Sequence, residues 1–101
     1  MKTALLHSDQ IQEALNSLPE WAIEGNKIVR LVKYPYLKNE PSPFMKGLYL
    51  CERIAGLAES ADHHPDILLT YPLVKIELTT HDSGGITIRD IELAKKINSI
   101  I

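Results

Sequence analysis

The sequence predicts an α+β domain of two layers. A four-stranded antiparallel sheet carries three helices on one face, in the order α-β-β-α-β-β-α. Three observations lead there. Apolar residues recur at helical spacing in three separate stretches. Between those stretches lie two pairs of short β-type segments, each pair joined by a tight turn, and strands so joined are antiparallel. No linker, internal repeat or low-complexity tract divides the 101 residues, so one domain spanning 1–101 is expected.

Ile11, Ala14, Leu15 and Leu18 fall at i, i+3, i+4 and i+7, one face of a helix that Ser8 can cap and Pro19 stops. "WAIE", "GN" and "KIVRLVKY" read as a hairpin, with Gly25-Asn26 expected to take the positive φ values of a tight turn. "KNEPSPF" is a loop. Ser42 can cap the next helix, and Pro43 suits its first position, where a backbone N–H is not needed.

From Phe44 to about Asp62 the spacing is helical again, with Pro65 as the stop. Phe44, Leu48, Cys51, Ala55 and Ala58 form one stripe; Leu50, Ile54, Leu57 and Ala61 form a second beside it. Together they are wider than one sheet requires. The Leu50, Ile54 and Leu57 stripe is therefore expected to meet another subunit.

"ILLTY" and "VKIELTT" are strands joined at Pro72. In the second, Val74, Ile76 and Leu78 alternate with Lys75, Glu77 and Thr79. Gly84-Gly85 makes a loop. Thr87 opens the last helix, Asp90 completes an acidic capping box, and Ile91, Ala94, Ile97 and Ile101 are its apolar face.

Composition narrows the function. Apolar residues make up 45% and charged residues 24%, and net charge is −2 with no basic cluster, which argues against nucleic acid. No stretch reaches the roughly 18 apolar residues of a membrane span. The first twenty residues lack an apolar signal-peptide core, so none is expected. The single cysteine, Cys51, forms no disulfide framework and no CxxC site, pointing to a reducing, cytoplasmic setting.

Three of the four histidines, His63, His64 and His81, cluster around two turns. If the last two strands form a hairpin, residues near 63–66 and 79–82 share one edge. Glu59 and His63 stand at i and i+4, so the carboxylate is expected to orient that imidazole. A zinc site fits less well. Consecutive helical residues point about 100° apart, and there is no HxH or HxxxH pair. Acid–base chemistry fits better, because two imidazoles in different surroundings can hold different protonation states near neutral pH.

Glu59, then His63-His64-Pro65, Tyr71, His81 and Asp90, with "THDSGGIT", "RD" and "LPEW", resemble the signature of the pterin-4a-carbinolamine dehydratases over roughly residues 11–98. The resemblance implies a 4a-hydroxytetrahydropterin substrate, left when an aromatic amino acid hydroxylase uses tetrahydropterin. Loss of water gives quinonoid dihydropterin, with no metal or organic cofactor. His63 and His81 are implied as acid–base catalysts and His64 as the residue holding the pterin. Asp62, Thr79, Thr80 and Asp82 are implied as substrate contacts, and Glu59 and Asp90 as groups that orient the imidazoles. The alternative is a non-catalytic pterin-binding or protein-dimerisation module of the same fold. Retention of all three motif histidines argues for turnover.

Overall fold

A computed structural model describes residues 2–101 of the chain. The elements are α1 (Ser8–Leu15), β1 (Trp21–Glu24), β2 (Lys27–Lys33), α2 (Pro43–Ala61), β3 (Asp66–Leu69), β4 (Leu73–Leu78) and α3 (Ile88–Asn98). A 3₁₀ turn, His81–Ser83, links β4 to α3. The strands form one antiparallel sheet in the order β1-β2-β4-β3, so β4 is central and β3 lies at an edge.

The alternation in β4 sets the layers. Val74, Ile76 and Leu78 are fully buried beneath the helices, while Lys75 and Glu77 point to the open face. The register opposes Ile28 to Leu78 and Val32 to Val74, which brings the apolar side of β2 to the same layer. Leu50 and Ile54 of α2 and Ile91, Ala94 and Ile97 of α3 complete the core. Burying one such side chain contributes about 1.5–3 kcal/mol.

Several elements differ locally from their sequence reading. Helix α1 is capped by His7 rather than Ser8: the His7 N–H donates to Gln10 Oε1 at 2.7 Å. The helix ends before Leu18, which is nevertheless buried. In the β1–β2 turn only Gly25 has positive φ, at 63°; Asn26 does not share it.

The stripe assignment on α2 is corrected. Leu50 and Ile54 are 2% and 0% exposed in the chain's own core, so they are not free to meet another subunit. Phe44, Met45 and Tyr49 face outward instead. Close approach to the sheet decides this. A Cβ on Gly47 would lie 2.7 Å from Leu69 Cδ1 and 3.0 Å from Val74 Cγ2, so the Gly47 side of the helix presses directly on β3 and β4.

Candidate active site

The site forms where α2 ends beside the end of β4. Helix α2 stops at Ala61, ahead of the Pro65 stop signal, because Asp62 adopts a left-handed conformation with φ 49° and ψ 44°. The His63 N–H bonds the Ala58 carbonyl at 3.1 Å and the Asp62 N–H bonds Glu59 O at 3.3 Å. These are the two closing bonds of a Schellman cap, with aspartate where glycine is usual. A non-glycine residue there costs roughly 1–2 kcal/mol, and aspartate tolerates the conformation better than most.

The break turns His63 off the helix and into the protein. Its Nε2 lies 2.6 Å from Asp90 Oδ1, with His63 only 7% exposed and Asp90 fully buried. The other carboxylate oxygen of Asp90 accepts from Thr80 Oγ1 and from the Thr87 N–H, both at 2.9 Å. Thr80 has one hydroxyl proton and gives it to Asp90. The 2.7 Å contact between the two threonine hydroxyls therefore runs from Thr87 to Thr80. Thr87 Oγ1 in turn accepts from the Arg89 N–H at 3.2 Å.

Thr80 and Thr87 both donate to Oδ2, and with Asp90 as a carboxylate Oδ1 accepts as well, so His63 donates to it through Nε2–H. In the neutral imidazole, Nδ1 of His63 then carries the free lone pair. Asp90 is thus both the capping acid of α3 and the anchor of the imidazole.

The expected pairing of Glu59 with His63 does not form. Glu59 bonds Nε2 of His64 instead. The i, i+4 rule holds only along a continuous helix, and the chain leaves the helix at Asp62, between these residues. Both members of the Glu59–His64 pair are well exposed.

An open cleft of about 200 Å³ collects Asp62, His63, His64, Thr79, Thr80, His81, Asp82 and Arg89. Each sequence-derived catalytic and substrate-contact position lies on its wall. His81 enters from the first residue of the 3₁₀ turn and is exposed. Thr79 and Thr80 offer the cleft their shape, because their hydroxyl protons go to Asn26 O and to Asp90. Glu59 and Asp90 are not on the wall; each reaches it through an imidazole. Tyr71 is at the opposite end of the β3–β4 hairpin.

Sequence reasoning missed Arg89. Its Nη2 donates to the Asp62 carbonyl at 2.5 Å. The one signal was its place beside Asp90 in "RD". Among the described residues no group of three His, Cys, Asp or Glu side chains is arranged to hold a metal ion. No helix among them is long and apolar enough to cross a membrane.

Fold and site together define a small α+β domain that gathers three imidazoles around one cleft and locks one of them with a buried carboxylate. The chain belongs to the pterin 4 alpha carbinolamine dehydratase family, whose model matches residues 4–100. It is 40% identical over 100 residues to a protein of Nocardia farcinica, covering 99% of this chain and 98% of that one. It is 43% identical over 98 residues to a protein of Mycobacteroides abscessus, covering 97% of each. Both carry the name "Putative pterin-4-alpha-carbinolamine dehydratase". The crystal structure of a transcriptional coactivator/pterin dehydratase from Brucella melitensis superposes with a TM-score of 0.82 at 32% identity, covering 95% of this chain and 97% of that one.

Proposed function

We propose that this protein dehydrates a 4a-hydroxytetrahydropterin to the quinonoid dihydropterin, by histidine acid–base catalysis. Its family makes it a hydro-lyase. The observation that carries the mechanism is the buried hydrogen bond between His63 and Asp90, beside a cleft that also receives His64 and His81.

His63 Nδ1, free to accept, removes the proton from N5 of the pterin. The electron pair of that N–H bond becomes the second bond between N5 and C4a. The C4a–O bond breaks, and the hydroxyl leaves as water with a proton from His81. Asp90 stabilises the imidazolium that forms on His63, as the aspartate does in a Ser-His-Asp triad. His64, steadied by Glu59, holds the ring, and Asp62 and Asp82 contact it from the rim. Proton exchange with solvent through the open cleft returns both imidazoles to their starting states. General acid–base catalysis of this kind supplies about 10²–10⁴-fold.

The reading extends to context. The substrate would come from an aromatic amino acid hydroxylase, the activity would recycle tetrahydropterin, and the setting would be cytoplasmic. A homodimer or homotetramer is supported by Phe44, Met45 and Tyr49 on the outer flank of α2. Sedimentation at micromolar concentration tests the assembly, and a clean monomer overturns it.

For the activity, 4a-hydroxytetrahydropterin is generated in situ and its loss is followed with and without protein. The expected result is a dehydration rate that rises with protein and saturates in substrate. A protein that binds pterin yet leaves the spontaneous rate unchanged would be the non-catalytic module instead.

A further inference from the structure

We propose that Arg89 is a positioning residue. It holds the left-handed turn at Asp62 and thereby keeps the His63 imidazole on Asp90. The hinge at Asp62 is what aims His63, since a helix continued through residue 63 would carry that side chain elsewhere. Asp62 is there against its backbone preference, with φ at 49°. One side-chain bond to its backbone closes the hinge from outside, the 2.5 Å contact from Arg89 Nη2 to the Asp62 carbonyl. Arg89 and Asp90 are consecutive in the first turn of α3. Adjacent residues therefore grip adjacent residues: the guanidinium holds the Asp62 carbonyl and the carboxylate holds the next side chain, His63.

The grip at Arg89 is itself tied to the network. Its backbone N–H donates to Thr87 Oγ1, whose own proton goes on to Thr80. A planar guanidinium with five donors is suited to a carbonyl held at a fixed angle. Arg89 is itself half-buried, and the bond it makes lies at the exposed rim of the cleft. Nor is it drawn off by a carboxylate, since no salt bridge to Arg89 lies within 4.0 Å among the described residues.

Arg89 also lines the cleft, so direct contact with substrate is the competing role. The two roles separate in the ligand-free protein. Nitrogen-correlated NMR of the imidazoles reports the His63 tautomer and the exchange rate of the buried proton on Nε2. If Arg89 positions His63, Arg89→Ala should speed exchange of that proton by about tenfold or more and mix the tautomers before any substrate is added. In the dehydration assay kcat should fall about 10–100-fold with KM little changed, the range for losing a group that orients a working ligand. Arg89→Lys keeps a donor and should recover part of both signals. Should Arg89→Ala fail to fold, Arg89→Gln and Arg89→Lys are compared in the same way.

Unchanged His63 resonances in Arg89→Ala, with a raised KM alone, would overturn the proposal in favour of a substrate contact. Unchanged resonances with unchanged kinetics would overturn it outright. The kinetic arm rests on the dehydratase reading but the spectral arm does not. A wild-type protein without turnover would therefore sink that reading while leaving the positioning claim to the NMR result.

Discussion

Asp90→Asn is the most informative single change, because the two ends of the carboxylate make different demands. Oδ2 accepts from the Thr87 backbone N–H, which cannot rotate away, and from Thr80, both at 2.9 Å. The amide of asparagine must therefore keep its oxygen on that side and turn its NH₂ toward His63. An NH₂ can only donate, so His63 must accept through Nε2 and carry its proton on Nδ1. The nitrogen assigned as base then becomes a donor. Stability should fall by about 1–3 kcal/mol, since a buried charge-assisted bond of 2.6 Å becomes a neutral one. For a domain near 100 residues, each kcal/mol lowers Tm by about 4–8 °C. Activity should fall by on the order of 10²–10⁴-fold in kcat, the contribution of a general base. The assay is single-turnover dehydration of 4a-hydroxytetrahydropterin beside a thermal melt. A folded Asp90→Asn protein with kcat within about threefold of wild type would refute the tautomer argument.

Other outcomes follow from the same geometry. Glu59→Gln should change kcat/KM by less than about threefold, because an exposed ion pair is worth only about 0–1 kcal/mol, whereas His64→Ala should raise KM more than it lowers kcat. Burial pushes the Cys51 thiol above its ordinary value of 9.0, outweighing a backbone hydrogen bond that lowers it. Cys51 should thus react with a disulfide reagent at neutral pH more slowly than in the unfolded chain. Because the folded value is the higher one, its contribution to stability is intact at neutral pH and is lost as pH rises through that value, which alkaline melts can read. Gly47→Ala gains about 1 kcal/mol in helix propensity but forces a methyl against Leu69 and Val74, so a net loss of about 1 kcal/mol is expected in denaturant titration. EDTA treatment should leave the dehydration rate unchanged; loss of rate restored by Zn²⁺ would contradict the acid–base account.

What the sequence made legible was local. The alternation of Val74, Ile76 and Leu78 reports burial one residue at a time, and β4 follows it. The Thr87-to-Asp90 spacing likewise forecast a capping box. The failures share a cause in distance along the chain. The end of α2 near Asp62 was legible, but not the left-handed turn there, which is held from α3, 27 residues away. That turn moved Glu59 from His63 to His64. The role of Arg89 was not legible, because its partner is a backbone carbonyl and no residue type records that; "RD" marked only its position. On α2, two apolar stripes lie side by side, and spacing alone does not say which one faces the sheet; the tight approach at Gly47 does.

The central claim is that two imidazoles lining one cleft, His63 and His81, do the chemistry. The measurement that tests it most directly is the dehydration rate of the His63→Ala/His81→Ala double variant, set against wild type and against buffer alone. The account predicts marked acceleration by wild type and a double variant at the spontaneous rate, while still folded by its thermal melt. A folded double variant that keeps near-normal kcat would show that the protons move by another route.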